Sequence, residues 1–394
     1  MKKEMNQQRR EILDLIKSCI LGERAQVSDD FDWENAYNLG KSHQILPMLY
    51  YGAYNSQISI PEAIKEKLNL VAIHSIRKDQ NQLREIAKVK KLFVQNNIAF
   101  LPLKGMLLKY LYPQTDIRSM GDADILIRMD QFDAIRPLME EMGYREIVES
   151  DHEWIWDKSG ILHLELHKRL IPSYNRDYYA YFGDGWERAH KTETSEYVMR
   201  DEDQLVYLFA HYAKHYRDAG IGIRHLLDIY VYLRAKPNMD NAYIQKELQA
   251  LHLADFYENT LQTIRVWFDG QEDSPMTDFI TEWIFESGSY GTKDRQVLSE
   301  GLKISKTVDQ SQVKHTKVIR TIFPSAKTLS QKHRILCKLP ILLPFFWVYR
   351  WITTILLRPG AIKRKQEDIN MLSTETISTY QKQLNYVGLD FNFK

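Results

Sequence analysis

The spacing of apolar residues predicts that the first quarter of the chain is helical. Apolar positions recur three and four residues apart over residues 4–22, which is the period of an α-helix. Residues 32–53 predict a second helix and, after a break at Pro47, a third. Residues 61–96 are amphipathic and predict two more helices. We therefore expect an N-terminal helical region over residues 1–95.

The next hundred residues change to short apolar runs separated by turn residues, which is the pattern of a small sheet. Helix-period stretches lie between some of these runs, and one of them ends at Gly143. This order predicts an α+β fold over residues 96–195, with a small mixed β-sheet and helices on one face. The predicted strands are residues 98–103, the run containing Asp122 and Asp124, residues 144–148, residues 153–156 and the run around Glu165.

Helical periodicity returns after the predicted sheet. Residues 196–310 are expected to be helical, and two helices within them break near Gly220 and Gly222. Residues 311–394 form a last part that combines basic and apolar stretches with a tail. The pattern therefore predicts a mixed sheet core flanked by N-terminal and C-terminal helical regions.

Composition narrows the classes of function. The chain has 394 residues, 44 % of them hydrophobic and 27 % charged, which is typical of a globular protein. The formal net charge of +1 gives no overall attraction to nucleic acid and argues against a processive polymerase. The two cysteines, Cys19 and Cys337, do not predict a disulfide framework, and the N-terminus lacks the apolar core of a signal peptide. We expect a cytoplasmic protein.

Two predicted strands carry carboxylates on one face. Asp122 and Asp124 are two residues apart, so both side chains point to the same side of a strand. His163, Glu165 and His167 likewise share one face of a later strand. If the strands are neighbours, the three carboxylates converge and repel one another unless a cation lies between them. Mg²⁺ prefers oxygen ligands, and two such ions can hold the attacking and leaving oxygens of a displacement at phosphorus.

A turn before the first acidic strand has the residue types of a phosphate-binding turn. Lys104 and Gly105 follow an apolar run and precede a helix-period stretch. Glycine permits close backbone approach, and the first turn of a helix offers free N–H groups to a phosphate. A glycine turn, an Asp-x-Asp pair and a later acid together suggest nucleotidyl transfer.

This order of residues resembles the nucleotidyltransferase superfamily typified by DNA polymerase beta, which combines a glycine turn, Asp-x-Asp or Asp-x-Glu, and a later acid. More closely, LPLKGMLLKYLYPQTDIRSMGDADILI, the EEMGYRE that follows and LELH resemble the bacterial group called uncharacterised nucleotidyltransferases. The resemblance implies that Asp122, Asp124 and Glu165 are the catalytic, metal-binding acids. It also implies that residues 96–195 form the nucleotidyltransferase core and that residues 196–310 close its cleft.

The resemblance implies two Mg²⁺ ions, a nucleoside triphosphate donor and an acceptor hydroxyl on an unidentified small molecule, sugar or protein; nucleic acid is not expected. Lys104-Gly105 stands where other superfamily members carry Gly-Ser or Gly-Gly, so the serine that commonly contacts a phosphate is missing. The residues expected to contact the nucleotide are Lys104, Gly105, Arg118, Ser119, His167, Lys214 and Arg224.

Several of these residues have a second interpretation. Arg118 can pair with phosphate oxygens or be an ordinary surface arginine. For His167, orientation of Glu165 is the preferred role. Lys214 can belong to a solvated basic face, and Arg224 can form an ion pair with Asp228, four residues further along its helix. His211 and His215 have zinc-ligand spacing but lack a third ligand.

A segment near the C-terminus combines apolar, aromatic and basic residues. The continuous apolar run Leu339–Tyr349 is shorter than the ~20 residues of a membrane-spanning helix. We expect it to form a helix whose apolar face packs on the rest of the protein. Because basic residues flank the run, peripheral membrane contact through residues 332–365 is the alternative.

The leading hypothesis is a Mg²⁺-dependent nucleotidyltransferase. The unusual Lys-Gly turn, and a glutamate in place of the more usual third aspartate, motivate a second hypothesis, a catalytically inactive protein of the same fold that binds or scaffolds. A third hypothesis, a membrane-peripheral protein of a surface-polysaccharide pathway, is compatible with both.

Overall fold

Four helices precede the sheet in this computed structural model, which describes residues 2–330, 333 and 335–390. The prediction of two helices over residues 61–96 is wrong, because Glu62–Gln95 forms one helix of 34 residues. No glycine or proline interrupts the helix between Glu62 and Gln95, so its hydrogen bonds continue without a break. The helices are α1 (Lys2–Leu21), α2 (Trp33–His43), α3 (Leu46–Ser56) and α4 (Glu62–Gln95).

The central part is a mixed five-stranded sheet, which confirms the predicted α+β fold. Its strands are β1 (Phe100–Pro102), β2 (Ala123–Ile127), β3 (Arg145–Glu149), β4 (Glu153–Lys158) and β5 (Leu162–His167). The strand order is β1-β2-β5-β4-β3, in which β2 and β5 are parallel and the other pairs are antiparallel. Helices α5 (Gly105–Leu108), α6 (Phe132–Glu141) and α7 (Arg176–Phe182) accompany the sheet, and β6 (Ala189–Lys191) pairs with β7 (Tyr197–Met199).

The sheet has one apolar face and one polar face, as the alternation in its strands predicts. Leu162, Leu164 and Leu166 of β5 are buried in a core that also contains residues of α4 and α6. Trp154 and Trp156 of β4 are fully buried in the same core. The polar residues of the sheet therefore face the other side, where the helices that follow it in sequence lie.

Helices form the rest of the chain. They are α8 (Asp201–Asp218), α9 (Ile223–Ala235), α10 (Asn241–Ala250), α11 (Ala254–Phe268), α12 (Pro275–Ser287), α13 (Lys293–Ser305), α14 (Val313–Ile322), α15 (Ala326–Ser330), α16 (Ile335–Lys338), α17 (Leu343–Leu357), α18 (Pro359–Met371) and α19 (Thr374–Tyr386). The predicted break between α8 and α9 is confirmed. Gly220 has a φ of +86°, and a Cβ at Gly222 would meet backbone atoms of Ser289 and Gly288 at 2.9–3.0 Å.

The N-terminal and C-terminal helices share one core. That core joins side chains of α1–α3 with side chains of α8–α13 and α19. His43, at the end of α2, adds a polar link: its Nδ1 accepts a hydrogen bond from the Ile223 amide (3.2 Å), so Nε2 carries the proton and donates to the Phe285 carbonyl (3.0 Å). The division of the chain into four parts stays a prediction. This core contains side chains from more than one of the predicted parts.

The expectation that the apolar C-terminal helix packs its apolar face on the protein is wrong. Pro340–Leu357 has the length and composition of a membrane-crossing helix, with a mean hydropathy of 1.5, and none of its residues is buried. Two of the basic residues that flank this segment in the sequence, Lys332 and Arg334, lie outside the described residues.

Candidate active site

The parallel pairing of β2 with β5 places two carboxylates side by side. Asp124 and Glu165 are directly paired positions in this register, so their side chains point to the same side of the sheet. Asp122 lies one residue before β2, is exposed, and lines the same cavity as the other two acids. The expectation that the two acidic strands are neighbours is therefore confirmed.

Asp124 is the buried acid of this group, and two basic side chains hold it. The Lys104 ammonium lies 2.9 Å from Asp124 Oδ1, and Nε2 of His167 lies 2.7 Å from the same oxygen. Burial alone would raise the pKa of Asp124, but the Lys104 charge and the His167 hydrogen bond hold that pKa well below its usual range. Asp124 is thus ionised throughout the physiological range of pH. His167 contacts Asp124 more closely than Glu165, whose Oε2 is 3.6 Å away.

Glu165 has the opposite electrostatic environment. Burial raises its pKa to about 8, and repulsion from Asp124 and then from Asp122 adds to the effect. A carboxyl group in this state gains stability from a cation placed beside it.

The residues whose atoms lie close enough to share a metal ion differ from the three acids predicted from the sequence. Within the described part of the chain, two sets of three ligand atoms lie close enough to share a metal ion: Asp124, Glu165 and His167, and His152, Glu153 and His167. Asp122 is absent from both sets, because it precedes the strand and lies at the exposed rim. The carboxylate oxygens of the first set suit a hard divalent cation. The residues therefore fit a divalent metal ion.

Lys104 has an unusual backbone conformation. Its φ is 45° and its ψ is −117°, a combination that glycine adopts easily and other residues rarely do. The same residue is half-buried, and the carboxylate of Asp124 overcomes the effect of this burial and raises the pKa of Lys104 above its usual range. Lys104 thus combines a strained backbone conformation with a side-chain ion pair.

The predicted phosphate-binding turn is corrected in one respect. Helix α5 is a single turn, and its amides at Met106, Leu107 and Leu108 already donate to the carbonyls of Leu103 and Lys104. These three N–H groups are therefore not available to a phosphate. Gly105 itself is required by packing, because a Cβ at this position would lie 2.7 Å from Nη1 of Arg118.

Arg118 is buried and paired rather than an ordinary surface arginine. Its Nε and Nη2 donate to the two carboxylate oxygens of Asp228 at 3.0 Å and 2.6 Å, and the Tyr112 hydroxyl donates to the same carboxylate at 2.8 Å. The suggested Arg224–Asp228 ion pair is not formed, because Arg118 from the preceding loop occupies both oxygens. A bidentate pair of this kind fixes the planar guanidinium in one orientation.

Arg224 is held by the loop residues instead. Its Nη1 donates to Gln44 Oε1 at 2.6 Å and to the Ser119 carbonyl at 3.0 Å. The Ser119 hydroxyl also bonds Gln44, and Ser119 is not among the residues that line the cavity. Arg224 lines the cavity, and burial together with the neighbouring Arg118 lowers its pKa. Of these three residues, Arg118 and Arg224 line the cavity and Ser119 does not.

Helices α8 and α9 form the wall opposite the acids. His211 and His215 lie on one face of α8 with their Nε2 atoms 3.1 Å apart, and burial lowers the pKa of both well below the usual value. Burial likewise lowers the pKa of His225 to about 3. Lys214 lines the cavity on the same helix, and burial followed by repulsion from Lys104 lowers its pKa to about 8. The wall therefore presents neutral imidazoles around one lysine that titrates near neutral pH.

The cavity between sheet and helices has a volume of about 880 Å³. It brings together most of the residues predicted from the sequence: Lys104, Gly105, Arg118, Asp122, Asp124, Glu165, His167, Lys214 and Arg224. A volume of this size is typical of a small-molecule binding site.

Sequence reasoning missed His152 and Glu153, which lie beside His167. His152 Nε2 is 3.3 Å from His167 Nδ1, and Glu153 pairs directly with His167 across the β4–β5 ladder. The tight turn between these strands contains the signal that would have found them. Lys158 pairs with Leu162, and counting outward along both strands from that pair reaches Glu153 opposite His167.

One comparison with known proteins, the match to a family model, indicates a class of enzyme. Residues 29–269 match a family model described as "Uncharacterised nucleotidyltransferase". No curated protein matches the chain. Among solved structures, the chain is similar to the solution structure of the antibiotic-resistance factor ANT(2'')-Ia, with 11 % sequence identity over 48 % of this chain and 97 % of that chain. The TM-score of 0.33 is too low to establish a shared overall fold.

Proposed function

Because the chain belongs to the uncharacterised nucleotidyltransferase family, whose model matches residues 29–269, we propose that it transfers a nucleoside monophosphate from a nucleoside triphosphate to an acceptor hydroxyl. The observation that supports this most directly is the pairing of Asp124 with Glu165 on the floor of the cavity. Lys214 and Arg224 on the opposite wall place positive charge where a triphosphate would lie.

The proposed reaction depends on Mg²⁺, with two ions held by Asp122, Asp124 and Glu165. When bound, Mg²⁺ would neutralise the phosphate oxygens and the convergent acids. Asp124 is ionised and fixed by Lys104 and His167, so its carboxylate is oriented before a ligand arrives. His167 is therefore proposed to position Asp124.

The chemical step is an in-line displacement. The acceptor oxygen forms a bond to the α-phosphorus, the bond from that phosphorus to the bridging oxygen breaks, and pyrophosphate leaves with the electron pair. Glu165 is proposed to help activate the acceptor hydroxyl and to take its proton as the bond to phosphorus forms. Lys104, Lys214 and Arg224 are proposed to neutralise the charge of the triphosphate. Arg118 is proposed to support Arg224, and Gly105 to support the turn.

One observation favours the alternative of a catalytically inactive protein that binds or scaffolds. The Lys104 ammonium already neutralises Asp124, at a distance of 2.9 Å, so the site contains a built-in cation. If Lys104 does not yield to a metal ion, the site binds a nucleotide without transfer. The two functions differ in whether pyrophosphate is released.

The first experiment is a thermal-shift screen of the four ribonucleoside triphosphates, each with and without Mg²⁺. A ligand that binds only the folded state raises its stability by about 2.7 kcal/mol at a hundredfold excess over Kd. The variants are Asp122→Asn, at an exposed position, and Glu165→Gln, with Asp130→Asn as a matched control, an exposed acid after β2 that does not line the cavity.

We expect a Mg²⁺-dependent shift with one triphosphate, retained in Asp130→Asn and reduced in Asp122→Asn and Glu165→Gln. Pyrophosphate release is then measured with that nucleotide and candidate acceptors. A shift that is equal in all variants would contradict the assigned site. Binding that depends on Mg²⁺ without pyrophosphate release for any acceptor class would support the inactive alternative.

A further inference from the structure

Helix α17 turns an apolar stripe outward, and its inward side combines polar with aromatic side chains. The outward positions recur three and four residues apart and include Phe345 (73 % exposed), Ile352 (51 %) and Leu356 (72 %). The half-buried side of the same helix includes Arg350 and Thr354. A surface helix of a soluble protein normally has the reverse arrangement.

The inward side of α17 is fixed to the end of α14 and to the two residues that follow it. The indole N–H groups of Trp347 and Trp351 donate to the carbonyls of Pro324 (2.8 Å) and Ile322 (2.9 Å), and Arg350 Nη1 donates to the Thr321 carbonyl (2.8 Å). Both indole rings also contact the ring of Phe323, with centroids 5.1 Å and 5.3 Å apart. These contacts hold α17 along the protein surface, so its apolar stripe is presented as a face and the helix does not project as a separate span.

The elements next to α17 in sequence expose further apolar side chains. They are Ile319, Ile322, Phe323, Ile335, Leu339, Ile341 and Ile362. A monomeric soluble protein rarely leaves so large an apolar surface in contact with water, because each exposed side chain forgoes the free energy of burial. The surface therefore requires an occupant.

The charge around this surface is strongly asymmetric. Residues 310–366 contain 12 lysines and arginines and no aspartate or glutamate. The rest of the chain contains 41 basic and 52 acidic residues, which gives it a net charge of −11 against +12 for this segment. Exposed basic side chains follow the apolar helix directly, at Arg358, Lys363, Arg364 and Lys365.

We propose that α17 and its basic flanks form a membrane-docking surface that binds an anionic lipid bilayer, with the helix lying in the plane of the interface. A basic rim around an apolar and aromatic stripe matches anionic headgroups above hydrocarbon. A second copy of the chain would bring two segments of +12 together, which repel each other. Nucleic acid would satisfy the charge but would leave the apolar stripe in water.

This surface adjoins the catalytic cavity. Ser325, Lys327 and Thr328 line the cavity, and they follow Pro324, whose carbonyl accepts the Trp347 hydrogen bond. Docking through α17 therefore brings this rim of the cavity toward the lipid headgroups. The proposal goes beyond nucleotidyl transfer, and its test does not depend on catalysis.

The test is co-sedimentation of the full chain with vesicles. One set contains phosphatidylcholine alone, and the other contains phosphatidylcholine and phosphatidylglycerol in equal parts. The variants are Phe345→Asp and Ile352→Asp on the stripe, and the matched control is Leu70→Asp on α4, which is 70 % exposed far from this segment in sequence. All three positions are exposed, so the substitutions should leave folding intact, which circular dichroism verifies.

We expect the native chain and Leu70→Asp to bind the anionic vesicles, and binding to weaken as salt is raised. Each stripe substitution should reduce partitioning about tenfold or more, because burying one such side chain is worth at least that factor. Failure of the native chain to bind, or unchanged binding of the stripe variants, would overturn the proposal. The proposal would also be overturned if the native chain does not bind vesicles but self-associates or binds nucleic acid, and if the stripe substitutions abolish that association.

Discussion

Variants of Lys104, the strained residue in the turn, separate the effect of the backbone conformation on stability from the effect of the side-chain ion pair. Lys104 combines a φ of 45° with an ion pair to Asp124. Lys104→Ala and Lys104→Gly both remove the ammonium and leave Asp124 with His167 alone. The two variants differ only in the Cβ, so their difference in stability measures the backbone strain.

The magnitude follows from two opposing contributions. A residue other than glycine in this region of φ and ψ costs roughly 1–3 kcal/mol, which Lys104→Gly recovers and Lys104→Ala does not. Glycine loses more conformational freedom on folding, which costs about 0.5–1 kcal/mol relative to alanine. We expect Lys104→Gly to be more stable than Lys104→Ala by about 1 kcal/mol, the reverse of their usual order.

The assay is urea denaturation of both variants, followed by intrinsic tryptophan fluorescence. Trp154 and Trp156 lie in the core behind the sheet, so their emission reports on the unfolding of the part that contains the turn. Both variants should also bind Mg²⁺ more tightly than the native chain, because the ammonium no longer competes for Asp124. Isothermal titration with Mg²⁺ alone measures that gain.

Two results would refute the reasoning. Equal stability of the variants, or a more stable alanine variant, would mean that the turn carries no strain at position 104. Weaker Mg²⁺ binding in both variants would mean that Lys104 supports the metal site and does not compete with it.

Three further predictions follow from buried charges. Asp124→Ala should abolish transfer. It should also lower the free energy of unfolding by about 1–3 kcal/mol in a denaturation experiment, because it leaves the half-buried Lys104 ammonium without its carboxylate; without the structure, a stable variant would be expected. Asp228→Asn should be similarly destabilised through Arg118, and a fully stable variant would contradict the buried pair. Burial lowers the pKa of Lys214 to about 8, so nucleotide affinity measured by titration should fall as the pH rises through that value, but not in Lys214→Met. The unfolded chain binds the Lys214 proton more tightly than the folded chain. The free energy of unfolding of the native chain, measured without nucleotide, should therefore rise as the pH rises above about 8.

Local sequence patterns determined much of this protein. The alternation in LHLELH assigned Glu165 and His167 to the polar face of a strand, and the structure places both residues at the cavity. Glycines at 220 and 222 marked the break between two helices. These features depend on the period of a strand or the conformational freedom of one residue, both of which are local properties.

Contacts between residues far apart in sequence were decided only by the tertiary structure. Arg118 and Asp228 are 110 positions apart, and nothing in their neighbourhoods indicated that Arg118 would displace Arg224 as the partner of Asp228. Lys104 reaches Asp124 only because β1 and β2 are antiparallel neighbours, which places the turn after β1 beside the start of β2. The direction of the apolar stripe on α17 was likewise decided only by the tertiary structure. Its composition was readable from the sequence, but whether the stripe faces the core or the solvent depends on which surface the rest of the chain offers it.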